Sequence, residues 1–169
     1  LLATSFWCRD LFSPIETSQS VTIIRAWGDV YYHLSQIANF SRSEGIKSLS
    51  DVQMAGAPVR PYHFASYVFP AMMVRSSGIS AWSSYASFLV PFGIFATSLA
   101  AYAITAPIFG SRPAWVAGLG LLLLPDALRQ GFGNPFMGYH WLQQVGPAGA
   151  YGVACAALSW IFMLEACRS

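Results

Sequence analysis

Long uncharged apolar runs fill the second half of the chain, whereas the first half mixes short apolar stretches with charged positions. Residues 81–107 carry no charge at all. As an α-helix this run would extend about 40 Å at ~1.5 Å per residue, which exceeds the ~30 Å hydrocarbon core of a bilayer. The pattern therefore predicts a transmembrane helix over residues 81–107.

Two further apolar runs predict two more transmembrane helices. Residues 113–130 follow the break FGSR, which has room only for a tight helix–helix turn. Residues 147–164 contain many small side chains, which suit close helix packing in a membrane. Between these runs, residues 131–146 are rich in Gly, Pro, Asn and aromatic side chains, a composition typical of an ordered interfacial loop.

The region before the first predicted span has a different character. Residues 8–80 hold six of the nine basic and five of the seven acidic residues, and their apolar stretches are too short to span a bilayer. The pattern predicts a helix over 29–42 and a second short segment, YHFASYVFPAMMV, that is either interfacial or re-entrant. We therefore expect residues 1–80 to form an exoplasmic or interfacial loop region with juxtamembrane helices, and residues 81–169 to form the transmembrane region.

Composition supports the same class. The 169 residues are 55% hydrophobic and 9% charged, whereas soluble domains carry about 25% charged residues. The predicted fold class is an all-α membrane protein with about three transmembrane helices. The net charge of +2 is too small for a basic stripe, so nucleic acid is not a predicted partner. The chain opens without Met, and we expect it to be an N-terminal fragment of a longer polytopic protein.

The cysteines suggest no chemistry of their own. Cys8, Cys155 and Cys167 show neither a CxxC pair nor a spacing with His that is typical of zinc sites. We interpret all three as small buried hydrophobic residues.

Crossing parity predicts which segments share a compartment. Two predicted spans separate residues 8–80 from the loop 131–146, and an even number of crossings returns the chain to its starting side. Arg112 and Arg168 then lie on the opposite side, which the positive-inside rule favours as cytoplasmic.

The first candidate for chemistry is the start of the predicted helix 29–42, GDVYYHLSQIANF. Asp is a preferred N-cap, so a capping role for Asp29 stays open, although Tyr32 occupies the position that Glu or Gln takes in a capping box. The spacing also places Asp29, His33 and Gln36 on one helical face. This face runs beside an apolar stripe of Val30, Leu34 and Ile37.

Two other segments carry histidine beside tyrosine and proline. GAPVRPYHF contains Arg60, Tyr62 and His63, and NPFMGYHWLQQVGP contains His140. Each also fits a plain interfacial Tyr-His anchor, and that alternative stays open. A metal site built from Asp29, His33 and His63 is a weaker alternative because the spacing matches no specific metal-binding motif. No metal ligand is therefore assigned, no particular cofactor is predicted, and dependence on a divalent metal is left open.

These motifs resemble a known family. GDVYYHLSQIANFSRSEGI, followed about 25 residues later by GAPVRPYHF and then by apolar spans, resembles the first exoplasmic loop of polytopic GT-C-type glycosyltransferases, which use polyprenyl-phosphate sugars. The resemblance covers roughly residues 25–145. It implies that Asp29 is the catalytic base. It also implies substrate-binding or supporting roles for the remaining candidates, which are His33, Arg60, Tyr62, His63 and His140.

The resemblance further implies partners and a location. The donor would be a polyprenyl-phosphate-linked sugar, the acceptor an unidentified glycan, lipid or protein, and the environment a lipid bilayer. The chain would be a multi-pass protein of the bacterial cytoplasmic membrane whose active loops face the periplasm or exterior.

Other function classes compete with this interpretation. A transporter would place ionisable residues within the spans, which here hold almost none. A non-catalytic transport or assembly subunit and an O-antigen ligase-like or polymerase-like enzyme remain alternatives. Dependence on the loop carboxylate favours the glycosyltransferase, and dependence on Arg and His alone favours the ligase.

Overall fold

The computed structural model describes residues 2–8, 11, 14–18, 21–24, 28–44, 51, 57–58, 64–123 and 139–167. The chain is mainly helical, as the sequence predicts. In order, its elements are α1 (Leu2–Trp7), β1 (Pro14–Ser18), β2 (Val21–Ile24), α2 (Gly28–Arg42), α3 (Ala65–Ser77), α4 (Ala81–Ser84), a π-helical segment (Tyr85–Leu89), α5 (Val90–Phe109), α6 (Ser111–Leu123), α7 (Tyr139–Val145) and α8 (Pro147–Ala166).

The chain forms two compact units. The N-terminal unit is Cys8–Val90, and the C-terminal unit comprises Leu1–Trp7 together with Pro91–Ser169. The domain boundary predicted from the sequence, between residues 80 and 81, lies ten residues before the division between Val90 and Pro91.

A β-hairpin in the N-terminal unit is the feature that the sequence did not predict. β1 and β2 are antiparallel, with Ser18 opposite Val21 and Thr17 opposite Thr22, and the register is irregular between Pro14 and Glu16. Every residue of β2 is β-branched, which favours extended backbone. Strands of four or five residues are too short for their periodicity to be distinguished from that of a loop.

Helix α2 confirms the helix predicted over 29–42, beginning one residue earlier at Gly28. Two members of the predicted apolar stripe, Val30 and Ile37, are 0% exposed in the core of the N-terminal unit, whereas the third, Leu34, is only partly buried. Burying such side chains contributes roughly 1.5–3 kcal/mol each. The stripe therefore fixes which face of α2 turns inward and leaves the opposite face at the surface.

Helix α3 corresponds to the second segment predicted in this region. It ends at Gly78, whose φ of 71° is left-handed, and the Gly78 N–H donates to the carbonyl of Val74. Glycine reaches this conformation without a Cβ clash. Inside the helix, the carbonyl of Pro70 accepts a 3.0 Å hydrogen bond from Ser84 Oγ, which ties α3 to the end of α4.

Two helical stretches are long and apolar enough to cross a membrane, judged by length and composition: Ala81–Phe109 and Pro147–Ala166. They correspond to the predicted spans 81–107 and 147–164. In the most apolar part of the second stretch, only 17% of the residues are buried. A helix at the core of a soluble protein is instead covered on all sides.

The other predicted span and the predicted loop are described only in part. Residues 113–130 are helical as far as the end of α6 at Leu123, and 124–130 lie outside the described residues. The third span therefore stays a prediction. Within the predicted loop 131–146, Tyr139–Val145 forms α7, and 131–138 lie outside the described residues.

Small residues bring the helices of the C-terminal unit close together. Between α5 and α6, Ser98 Oγ donates a 2.6 Å hydrogen bond to the carbonyl of Gly118. Between α5 and α8, Thr97 Oγ1 lies 3.3 Å from the carbonyl oxygen of Ala150, and a Cβ placed on Gly93 would lie 3.1 Å from the Ala150 Cβ. Such contacts are typical of helix packing within a bilayer, where backbones approach through small side chains.

Candidate functional site

Asp29 is an exposed carboxylate in the first turn of α2. A negative charge at this end of a helix interacts favourably with the unpaired N–H groups there. Among the described residues the Asp29 side chain forms neither a hydrogen bond nor an ion pair, so no capping bond is present. Because Asp29 is exposed, its carboxylate is available to a molecule that approaches α2 from outside.

One helical turn later, His33 points into the core. It is 7% exposed. Its Nδ1 lies 2.5 Å from the hydroxyl oxygen of Tyr67 on α3, and the tautomer of the imidazole decides which group donates. A buried polar group without such a bond would cost roughly 1–3 kcal/mol, so the pairing stabilises the contact between α2 and α3.

Three tyrosine rings surround this imidazole, and we call the four residues the His33 cluster. The Tyr85 ring is nearly parallel to the imidazole, at an interplanar angle of 12° and a centroid distance of 6.1 Å. The ring centroids of Tyr32 and Tyr67 each lie 5.7 Å from that of His33. The cluster therefore joins α2, α3 and the π-helical segment in the buried core of the N-terminal unit.

The π-helical segment places Tyr85 in this cluster. The N–H of Val90 donates to the carbonyl of Tyr85, which is the i to i−5 bond of a π-turn. Pro91 follows directly and has no N–H to donate to the carbonyl of Ser87, its α-helical acceptor. A proline ring crowds that carbonyl, and a locally wider turn relieves the crowding.

His140 lies in the C-terminal unit and is 1% exposed. Its imidazole is stacked on the indole of Trp7, and Trp7 Nε1 donates a 2.8 Å hydrogen bond to the carbonyl of Leu122. A substrate-binding role for His140 stays a prediction, and in this conformation its ring contacts protein on its stacked face.

An apolar cavity lies beside this stack. Its volume is about 270 Å³, and it is lined by Ala3, Phe6, Trp7 and Leu123. These side chains offer no charged or hydrogen-bonding group apart from the indole N–H of Trp7, which already donates to the carbonyl of Leu122. The cavity therefore suits hydrocarbon rather than a polar ligand.

The remaining predicted site residues, Arg60, Tyr62 and His63, lie outside the described residues. Their substrate-binding roles stay predictions, as does any metal site that includes His63. Among the described residues, no three His, Cys, Asp or Glu side chains are grouped as metal ligands would be.

The cysteine prediction is right at one position and wrong at two. Cys8 is buried, and burial raises the pKa of its thiol to about 12. Cys155 and Cys167 are exposed free thiols. The sequence suggested burial because Cys155 stands among apolar residues and Cys167 directly follows an apolar run near the end of the chain, yet α8 turns much of its apolar surface outward, including Val153, Leu158 and Phe162.

Comparison of the chain with protein-family profiles, curated proteins and solved structures gave no match. The functional interpretation therefore depends on the motifs of the sequence and on the geometry of Asp29 and the His33 cluster. Of that cluster, sequence reasoning singled out only His33. Tyr67 and Tyr85 were missed because no short spacing connects them to α2.

Proposed function

We propose that this chain belongs to a membrane glycosyltransferase that moves a sugar from a polyprenyl-phosphate donor to an acceptor hydroxyl on the exoplasmic face. Asp29 is the base in this proposal. The observation that carries it is the position of the carboxylate: Asp29 is exposed at the start of a helix whose next turn is anchored in the core through His33. A base must be reachable by substrate yet held in place.

A membrane location is supported by the apolar helices. Two stretches are long enough to cross a bilayer, and α8 exposes large side chains such as Trp160 and Phe162. Lipid would cover these surfaces, which would be unfavourable in water. The proposal includes three spans, at 81–107, 113–130 and 147–164, in a multi-pass bacterial protein whose loops face the periplasm or exterior.

The residue types fit the chemistry of the transfer. The acceptor oxygen forms a bond to the anomeric carbon of the sugar as its proton passes to the Asp29 carboxylate. The bond from that carbon to the phosphate oxygen breaks, and the polyprenyl phosphate leaves with the bonding electrons. A single displacement of this kind inverts the anomeric configuration.

The phosphate is already a competent leaving group, so the site needs positive charge and hydrogen-bond donors near it more than it needs a strong acid. We assign this role to Arg60 and His63, and substrate contacts to Tyr62 and His140. These assignments follow from the resemblance and belong to the proposal.

The test is sugar transfer from a panel of radiolabelled polyprenyl-phosphate sugars in membranes that contain the protein. Wild type is compared with Asp29→Asn at matched expression. Asn is about as good an N-cap as Asp, so any structural capping is retained while the base is removed. The matched control is Glu44→Gln, which makes the same change at an exposed carboxylate just beyond the other end of α2.

We expect wild type and Glu44→Gln to consume donor equally and Asp29→Asn to lose transfer by at least about 100-fold, the lower end of the usual contribution of a general base. Equal consumption by Asp29→Asn and wild type would rule out Asp29 as the base. Loss of transfer only on replacing Arg60 or His63 would favour the ligase-like alternative. No transfer by wild type from any donor would favour a non-catalytic membrane protein.

A further inference from the structure

Tyr67 makes a polar contact and apolar contacts with the same face of α2. Its hydroxyl is hydrogen-bonded to Nδ1 of His33. The centroid of its ring lies 6.4 Å from that of Phe40, two turns further along α2. Tyr67 is 3% exposed. Packing therefore holds the ring of Tyr67 in place. Its hydroxyl adds a directional hydrogen bond to the His33 imidazole, whose terminal side-chain torsion packing alone would fix less tightly.

That directional bond matters for the turn of α2 that holds Asp29. Side chains on a helix lean toward its N-terminus, so His33 leans toward the turn four residues before it. Residues four apart lie roughly 5–6 Å from each other at Cβ. A tyrosine hydroxyl both donates and accepts, so its bond to Nδ1 fixes the direction in which the imidazole faces, whichever nitrogen carries the proton.

We infer that Tyr67 is a positioning residue for the transfer reaction: its hydroxyl fixes the orientation of the His33 imidazole, and this bond between α3 and α2 holds the preceding turn of α2, which carries Asp29, in the reactive position. This inference rests on the proposed function. It assigns Tyr67 no contact with donor or acceptor. Its effect is therefore expected on the rate of the chemical step rather than on donor binding.

The variant is Tyr67→Phe, which keeps the ring and removes only the hydroxyl. The matched control is Tyr102→Phe on α5, where the ring packs against Trp115 at a centroid distance of 4.9 Å in the other unit. Transfer is measured in membranes against donor concentration. For Tyr67→Phe we expect kcat to fall about tenfold, with KM within about twofold of wild type, because small displacements of a catalytic group reduce rate strongly. Tyr102→Phe is expected to match wild type.

A second measurement does not depend on activity. ¹⁵N-histidine-labelled protein in detergent micelles gives imidazole nitrogen resonances, and those of His33 are identified by their loss in His33→Gln. We expect Tyr67→Phe to shift the Nδ1 resonance of His33, because the variant removes the hydrogen bond to that nitrogen, and Tyr102→Phe to leave it unchanged. Protection of the Cys8 thiol, which is buried in the same unit as Tyr67, reports whether Tyr67→Phe and His33→Gln are folded.

The outcomes separate this inference from the proposed function. Full activity of Tyr67→Phe, with Asp29→Asn inactive, overturns the role of Tyr67 and leaves the proposed function standing. Full activity of Asp29→Asn overturns both. If Tyr67→Phe does not fold, His33→Gln tests the same bond from its other partner, and a wild-type kcat overturns the inference. If both variants fold, the double variant should lose no more rate than either single one, because both changes break one bond.

Discussion

The indole of Trp7 and the imidazole of His140 lie face to face, with ring centroids 3.6 Å apart and planes 9° apart. These residues are far apart in the chain, one on α1 and the other on α7, and both belong to the C-terminal unit. The same indole donates its N–H to the carbonyl of Leu122 near the end of α6. Trp7 therefore holds three helices together.

Replacing Trp7 by Phe should lower the free energy of unfolding by about 1–2 kcal/mol. The change removes one hydrogen bond, worth about 1 kcal/mol, and weakens an aromatic pair worth roughly 0.5–1.5 kcal/mol. Unfolding is followed by circular dichroism as the protein in mixed micelles is titrated with SDS. Trp160→Phe is the matched control because Trp160 is 56% exposed. Equal stability of the two variants would show that the Trp7 contacts contribute nothing.

A methyl group added at Gly118 should disturb the packing of α5 against α6. A Cβ there would lie 3.1 Å from the backbone oxygen of Ser98 and 3.3 Å from the Tyr102 Cβ. Because a backbone atom cannot swing aside, α5 and α6 must separate, and Gly118→Ala should cost about 1–3 kcal/mol, the usual range for overpacking.

The matched control for this prediction is Gly152→Ala on α8. A Cβ at Gly152 would meet nothing within 4 Å, and alanine is the better helix former by roughly 1 kcal/mol. The same SDS titration should therefore show Gly152→Ala at least as stable as wild type. A Gly118→Ala protein as stable as Gly152→Ala would contradict close packing of α5 and α6.

The buried thiol of Cys8 should make stability depend on alkaline pH. Its pKa is raised from 9.0 to about 12 by desolvation, so the unfolded chain loses this proton at a lower pH than the folded protein does. The stabilisation is complete below about pH 9 and is lost as the pH rises toward 12, by at most about 1.4 kcal/mol per pH unit. The measurement is the free energy of unfolding of wild type minus that of Cys8→Ala, from pH 7 to 11. A difference that stays constant over this range would contradict burial of the thiol.

The three cysteines should also react at different rates. The thiolate is the nucleophile, and burial both hides Cys8 and disfavours its ionisation. Maleimide at pH 7.5 should label Cys167 at the end of α8 in the folded protein and Cys8 only after unfolding. Mass spectrometry of the digested protein identifies the labelled positions, and Cys8→Ala confirms the assignment.

The elements predicted correctly from the sequence are those governed by local pattern. The apolar stripe of α2 repeats with the period of a helix, and its members Val30 and Ile37 are buried as that period requires. The uncharged run over 81–107 predicted the helical stretch Ala81–Phe109 correctly. A run of this length without charge is by itself typical of a transmembrane helix.

The missed features depend on contacts between distant parts of the chain. His33 and Tyr67 are separated by 34 positions, and no spacing rule connects them. The stack of Trp7 on His140 is equally invisible in a local window. The exposure of Cys155 was missed for a related reason. Apolar neighbours in the sequence do not reveal which face of a helix is covered by other helices.

The contact of Gly118 with Ser98 also limits how α5 and α6 can move against each other. Sliding α6 by one turn, about 5.4 Å, would bring Leu122 to the place that Gly118 occupies. A leucine side chain cannot enter a gap in which even an added Cβ would lie 3.1 Å from the opposite backbone. Helix translation, a common way to transmit a signal across a bilayer, is thus blocked at this pair, and we expect α5 and α6 to move as one rigid body.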